Sequence, residues 1–164
     1  MRVYLLAALA VAVLTTVTWR VAVHLEHKAL RALPRQRTED RRRLSAIAHL
    51  VVTRARLPMK DGAFDPYDFV RRGEIGGGDM GLFRSARYGH GPTEEEAKAG
   101  DYTKFPWGRY RGERKPRDAP PYPLLWEKKP DEDGRVVVAL SDGSARVWDR
   151  ETLERALAEA GVGR

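Results

Sequence analysis

Cysteine is missing from the 164-residue chain. No disulfide framework and no thiolate metal site can be built from it. That absence does not choose between an oxidising and a reducing compartment. Histidine is scarce, with four in all. His24 and His27 stand one helical turn apart with no third ligand nearby, and His90 sits in a Gly-rich loop, so zinc coordination is not expected. G-x-S-x-G, H-E-x-x-H and Walker A sequences are absent. GGGDMG, from Gly76 to Gly81, matches G-x-G-x-x-G literally. No buried strand precedes it and LFRSARYG after it is a poor helix, so it reads as a flexible glycine loop rather than a dinucleotide site.

A long charge-free apolar run occurs once, in VYLLAALAVAVLTTVTW from Val3 to Trp19. Extended through Val21 to Val23, a helix of that length covers ~31 Å, the thickness of a hydrocarbon core. The expectation is a transmembrane anchor over residues 1–23, with Arg20 reaching the headgroups from near its end. Small-x-small triplets fall inside the apolar run, too early for normal signal-peptide cleavage.

Charged residues make up 32% of the chain and the formal net charge is +7. Such a chain suits anionic surfaces. Residues 24–60 read as a basic helical stalk. Arg35, Arg37, Arg41, Arg42 and Arg43 crowd its middle, either as a solvated face or as a clamp on anionic lipid. Within it a helix is expected from Thr38 or Glu39 to about Arg56, because Leu44, Ile47, Ala48, Val51 and Ala55 recur at helical spacing and Pro58 stops it. His49 lies off that stripe and reads as a surface residue.

Residues 61–164 read as a small loop-rich α+β body. Asp61-Gly62 is a turn. Asp65-Pro66 is a helix N-cap with proline at the first helical position, and Gly73 is the C-cap. Thr93 and Glu96 form a capping box closed by Gly100. Asp101 to Pro123 has no apolar period, and its aromatics are expected to pin a loop to the body. Within it Lys104, Trp107, Arg109, Tyr110 and Arg111 interleave rings with cations. That composition could grip an anionic polymer; inward-packed rings are the other reading, and nucleic acid is the less natural partner.

Val136, Val138 and Leu140 alternate with Val137 and Ala139, and Asp142-Gly143 is a type I′ hairpin signal. Folded about that turn, Leu140 faces Ala145, Val138 faces Val147, and Val136 comes opposite Asp149. Val137 and Trp148 then cover the other side, with Arg146 nearby. Asp142 is expected to supply a tolerance for positive φ rather than chemistry. Asp149 caps a last helix with Leu153, Ala156, Leu157 and Ala160 on one face. Asp131, Glu132 and Asp133, with Asp142 or Asp149, could collect calcium ligands. Their spacing is not that of an EF-hand, so a solvated turn and no metal or cofactor are expected. Lys128, Lys129, Arg135 and Arg150 are the neutralisers at hand.

The layout resembles that of bacterial type IV pilins and type II secretion pseudopilins. An apolar N-terminal helix is followed by a polar helical extension, then RLPMKDGAFDPYDFV, a loop-rich middle and a C-terminal hairpin. The tail EDGRVVVALSDGSARVW is similar to a His-x9-Asp-Gly pattern of pilin-like proteins, with Glu132 at the His and Asp142-Gly143 as the Asp-Gly. The basic leader, the Gly-Phe-type processing site and the glutamate that pilins carry are not found around MRVYLLAALA. The resemblance implies a single-pass bacterial membrane protein without enzymatic activity, its body outside the cytoplasm, although the cations that follow the apolar run argue for the inside. The implied role is a structural or interaction component of an envelope or secretion assembly. Its partners would be membrane lipid and other pilin-like subunits. Two rivals remain: a tethered module that binds an anionic polymer or lipid surface, and an enzyme that uses the acidic cluster with a metal.

Overall fold

The computed structural model describes residues 35–54, 57–116 and 118–162. The chain divides into two compact units, Met1–Arg35 and Gln36–Arg164. Of the first, Arg35 alone is among the described residues.

The second unit opens with helix α1, residues 35–53. Leu44, Ile47, Ala48 and Val51 are all buried, and they fall on one stripe of the helix. The other faces carry Arg35, Arg42, His49 and Thr53, all exposed. Among the described residues no helix is long and apolar enough to cross a membrane. α1 shows the physical reason: its apolar surface is one stripe turned to the core, not a whole cylinder. The expected fold, a membrane-spanning helix carrying a body, is thereby corrected to an α+β arrangement with a C-terminal hairpin sheet and a terminal helix. The single-pass membrane protein and its bacterial-membrane location are corrected with it. The stretch expected to span, residues 1–23, lies outside the described residues, as do Ala55 and Arg56.

A two-stranded ribbon follows, β1 (Met59–Lys60) and β2 (Ala63–Phe64). Its turn holds Asp61 at φ 52° and Gly62 at φ 71°, the left-handed pair that an Asp-Gly hairpin requires. α2 (Asp68–Arg71) is a single turn whose Phe69 and Val70 are buried. Its N-cap is Tyr67 and no side chain caps it. The expected cap, Asp65, is buried and has its carboxylate engaged elsewhere, by the Arg71 guanidinium and the Tyr102 hydroxyl. Gly77–Phe83, which contains most of GGGDMG, is a 3₁₀ segment. α3 (Glu94–Ala99) carries the expected capping box between Thr93 and Glu96 and ends on Gly100 at φ 78°.

The main sheet has four antiparallel strands in chain order. They are β3 (Trp107–Arg109), β4 (Pro123–Glu127), β5 (Arg135–Leu140) and β6 (Ala145–Asp149). β3 and β4 lie in or just beyond the stretch expected to be loop. β4 is an almost continuous apolar run, PLLWE, buried on both faces. β3 passes so close to it that a side chain at Gly108 would run into the Trp126 ring. Every residue of β5 from Val136 to Leu140 is buried. Val137 and Ala139 join the larger core with α1 and the aromatics. Val136, Val138 and Leu140 form a second cluster with Leu153 of α4, Arg150–Glu159. Helices therefore cover both faces of the central strand.

The hairpin is slipped by one residue from the expected pairing. Ala139 faces Ala145, Val137 faces Val147, Val136 faces Trp148 and Arg135 faces Asp149. The loop has three residues, Ser141 to Gly143. The Leu140 amide donates to the Ser144 carbonyl at 2.9 Å and the Gly143 amide to the Leu140 carbonyl at 3.1 Å. Gly143 is left-handed at φ 87°, whereas Asp142 is not among the positive-φ residues. Ser141 enters the loop because the residue before β4 holds it: its amide donates to the Tyr122 carbonyl at 2.9 Å, and its hydroxyl accepts the Tyr122 amide. One extra loop residue exchanges the two faces of a strand.

Candidate functional site

α1 lies along the hairpin, and its arginines meet it in order. Near the start of α1, Arg37 bridges Asp131 and Asp133, the latter at 2.8 Å. One turn on, Arg41 Nε donates to the Ala145 carbonyl at 2.9 Å. A further turn on, Ser45 Oγ lies 3.5 Å from the Gly143 carbonyl. Near its end, Val52 Cγ2 would stand 3.0 Å from a Cβ placed on Gly143. Spacing of three to four residues puts such side chains on one face of a helix. The Ala145 carbonyl belongs to an edge strand, so α1 also blunts that edge.

Asp131 and Asp133 at the hairpin mouth are thus neutralised chiefly by Arg37, with the charge of Arg135 adding to it at Asp133; Lys128 donates instead to the Phe105 carbonyl and Arg150 pairs with Glu154. The carboxylate of Asp131 also accepts the amides of Asp133 at 3.0 Å and Arg135 at 2.9 Å, so it shapes the turn into β5. Hydrogen bonding from Arg37 holds the Asp133 carboxyl below its ordinary range, and the same contacts raise the guanidinium. Glu132 is exposed. The Asp149 carboxylate accepts the Thr152 amide at 2.7 Å as the N-cap of α4, which pushes its pKa down. Among the described residues no three His, Asp or Glu side chains gather in a way that could hold a metal ion.

The rest of the basic run divides. Arg43 pairs with Glu39 at 3.1 Å and donates to the Arg84 carbonyl. Arg35 and Arg42 are exposed. A clamp on anionic lipid would have to be made from these two and from Arg41, which stays exposed although its Nε is bonded, since Arg37 and Arg43 are engaged within the body.

The basic aromatic stretch also turns inward. Trp107 and Tyr110 are buried to 1% and 0% exposure, so neither ring is open to a stacking ligand. Trp107 packs edge-on against Phe105, and Phe105 edge-on against Tyr67 and Tyr102. The Arg109 guanidinium lies 3.5 Å from the Tyr102 ring centre, a cation–π contact inside the body. Lys104 pairs with Glu96, whose carboxyl is drawn down to about 2 by that contact and by the Thr93 amide. Arg111 alone of the five is exposed without a side-chain partner among the described residues. The glycine-rich segment is a 3₁₀ turn, and His90 is exposed; His24 and His27 lie outside the described residues.

Sequence reasoning missed the buried polar cluster behind the hairpin mouth. Asp40 of α1 is fully buried. It accepts the Ser85 hydroxyl at 2.8 Å and the amides of Ala86 and Arg87 at 2.6 and 3.3 Å. Arg87 in turn donates to the carbonyls of Lys129, at 2.7 Å, and Pro130. Glu127, 3% exposed, ends β4 and accepts the Val137 amide at 2.8 Å. Its side chain thereby substitutes for a backbone carbonyl in the ladder. Burial pushes its pKa up to about 7, against the Val137 amide and Arg87. Asp40 sits within a charge run and Glu127 beside two lysines, contexts that read as solvated surface. Two clefts also open beyond the end of α1, of about 610 and 450 Å³.

No protein-family model matches this chain, and no curated protein and no solved structure matches it either.

Proposed function

We propose that the chain is a pilin-like structural or interaction subunit of a secretion-type assembly, acting through its surfaces rather than by turning over a substrate. The observation that supports this best is where the strongest ligand-binding candidates point. Arg37, Arg41 and Arg43 tie α1 to the rest of the body, and Trp107, Tyr110 and Arg109 pack a loop onto it. Residues that would make a polyanion site instead build a rigid helix-on-sheet body ending in a hairpin and a helix. The polar helix, the turn after it and the C-terminal hairpin are among the elements on which the pilin-like resemblance rests; the apolar N-terminal stretch of that layout lies outside the described residues. Phosphate-binding proteins need cations that face solvent and lose affinity steeply with salt.

Chemical cross-linking of the full chain across a concentration series tests the reading, at salt high enough to screen its net charge of +7. Discrete oligomers that persist in that salt are the expected outcome. A chain that stays monomeric while binding heparin with a steep inverse salt dependence overturns it. The binding-module reading would then apply, with Arg35, Arg41, Arg42 and Arg111 as the side chains to replace.

A further inference from the structure

The larger cleft has an apolar floor and a cationic rim. Val51, Val52, Leu57 and Tyr122 line it together with Arg54, Arg114 and Lys115. Its volume of about 610 Å³ lies in the range of sites that enclose small ligands or anchor side chains. Val52 is 41% exposed, the large hydrophobic side chain left open among the described residues. Arg54 Nε is 3.0 Å from the Glu74 carboxylate and is thus engaged. Arg114 and Lys115 have no carboxylate partner among the described residues. The acid on this rim is Asp142, whose carboxylate is turned to the Ser144 amide at 2.9 Å and hydroxyl at 2.7 Å.

The smaller cleft shares Leu57 and Arg114 with the larger, so the two adjoin across these side chains. Here Arg71 and Arg72 are held by Asp65 and Asp68. The cations free to meet a ligand are therefore Arg114 and Lys115 beside the apolar floor, with Lys60 in the smaller cleft. That pattern fits an apolar side chain followed or preceded by a carboxylate. Two adjoining clefts, one with an apolar floor, fit successive side chains of an extended segment better than one compact molecule. A nucleic acid is a poor match, because the rings that could stack bases, Trp107 and Tyr110, are buried. A second copy is the weaker match for this rim at low salt, because each copy brings the same net charge of +7, which the cross-linking series screens.

We propose that these adjoining clefts receive an extended acidic peptide segment of a partner protein. An apolar side chain of the segment enters over Val52, Leu57 and Tyr122, and a neighbouring carboxylate pairs with Arg114 or Lys115. The assignment rests on the reading of the chain as an interaction subunit and names the chemistry of one partner.

Fluorescence anisotropy with the full chain and three labelled hexapeptides tests it, one alternating Glu and Leu, one Gln and Leu, one Lys and Leu. The Glu–Leu peptide should bind saturably and tighter than the other two. The double variant R114E/K115E should weaken it roughly tenfold or more. Val52→Asp should weaken it as well, while R150E/R155E on the outer face of α4 should leave it unchanged. Both sites of substitution in the clefts lie at exposed or half-exposed positions, and an unchanged far-ultraviolet circular dichroism spectrum checks the fold. Equal binding of the Lys–Leu peptide, or no effect of R114E/K115E, overturns the proposal. Binding of hexanoate that displaces the peptide at comparable concentration assigns the clefts to a small carboxylate instead, and overturns it too. Failure here with cross-linked oligomers still present removes the peptide site alone. Peptide binding without oligomers removes the self-assembly reading alone.

Discussion

At the mouth of the β5–β6 hairpin α1 is held by charge; at the tip it is held by a methyl group and a glycine. The mouth gathers Arg37, Asp131 and Asp133, with Asp40, Arg87 and Glu127 behind them. The tip has Val52 against Gly143 and a weak contact from Ser45. Buried charge requires every partner in place, because an orphaned ion or amide costs its whole desolvation. A packed glycine requires only shape. The two ends should therefore respond differently to substitution and to pH.

The largest effect is expected from Asp40→Ala. Its carboxylate satisfies a hydroxyl and two amides with no exposure to water. Its removal should lower the unfolding free energy by about 3 kcal/mol or more, read as a shift of the urea midpoint at unchanged slope. A loss within about 0.5 kcal/mol would mean that water replaces the carboxylate, and the mouth would then resemble a surface.

Glu127 makes the mouth sensitive to pH. Its folded pKa of about 7 lies above the unfolded 4.5. Between these values the unfolded chain binds fewer protons than the folded one, so stability falls as pH rises through that window. The contribution is fully present below the unfolded value and lost above the folded one. Over the window it amounts to at most about 3 kcal/mol. Glu127→Gln keeps an oxygen for the Val137 amide and cannot ionise. It should flatten the pH dependence between 4.5 and 7 and raise the melting temperature at pH ~8, with little change at pH ~4.5. Parallel pH profiles for the two proteins would assign the slope to another group.

The halves of the hairpin also differ in how far they were legible. Local chemistry was readable: the Thr93–Glu96 capping box, the Asp149 cap, the Asp61-Gly62 turn and the α1 stripe each depend on residues within a few positions. Register was not. The strands of the hairpin were visible, but the pairing turned on Ser141 being drawn into the loop by Tyr122, a contact between segments that no period reports. β4 was hidden for a similar reason. PLLWE follows a proline-rich stretch and has no alternation, because both of its faces are covered. Arg37 and Asp131 are 94 positions apart. A basic run and an acidic knot were each apparent, and their neutralisation of one another required the fold. The same holds for Trp107 and Tyr110, whose composition suits a polymer site and whose burial makes a core.

The tip carries the smallest effects, and it separates two explanations of one dipeptide. Gly143 has φ 87°, where a β-branched side chain is strained. A Cβ there also meets Val52 Cγ2 at 3.0 Å, a neighbour at the half-open edge of α1 that can yield slightly. Gly143→Val should therefore destabilise by about 2 kcal/mol, less than Asp40→Ala. Asp142 does something else. It is not left-handed, and its carboxylate accepts the Ser144 amide and hydroxyl, closing the loop from outside. Against the cost of burial, those contacts hold its carboxyl below the ordinary range. Asparagine offers the same acceptor oxygen to the Ser144 amide, so Asp142→Asn should change stability by no more than ~0.5 kcal/mol. Asp142→Ala removes the acceptor and should cost about 1 kcal/mol. Compared by thermal unfolding, the three variants should rank Gly143→Val, Asp142→Ala, Asp142→Asn from most to least harmful. If Asp142→Asn proved as harmful as Asp142→Ala, the negative charge rather than the acceptor would matter at the tip, and the contrast with the charged mouth would disappear.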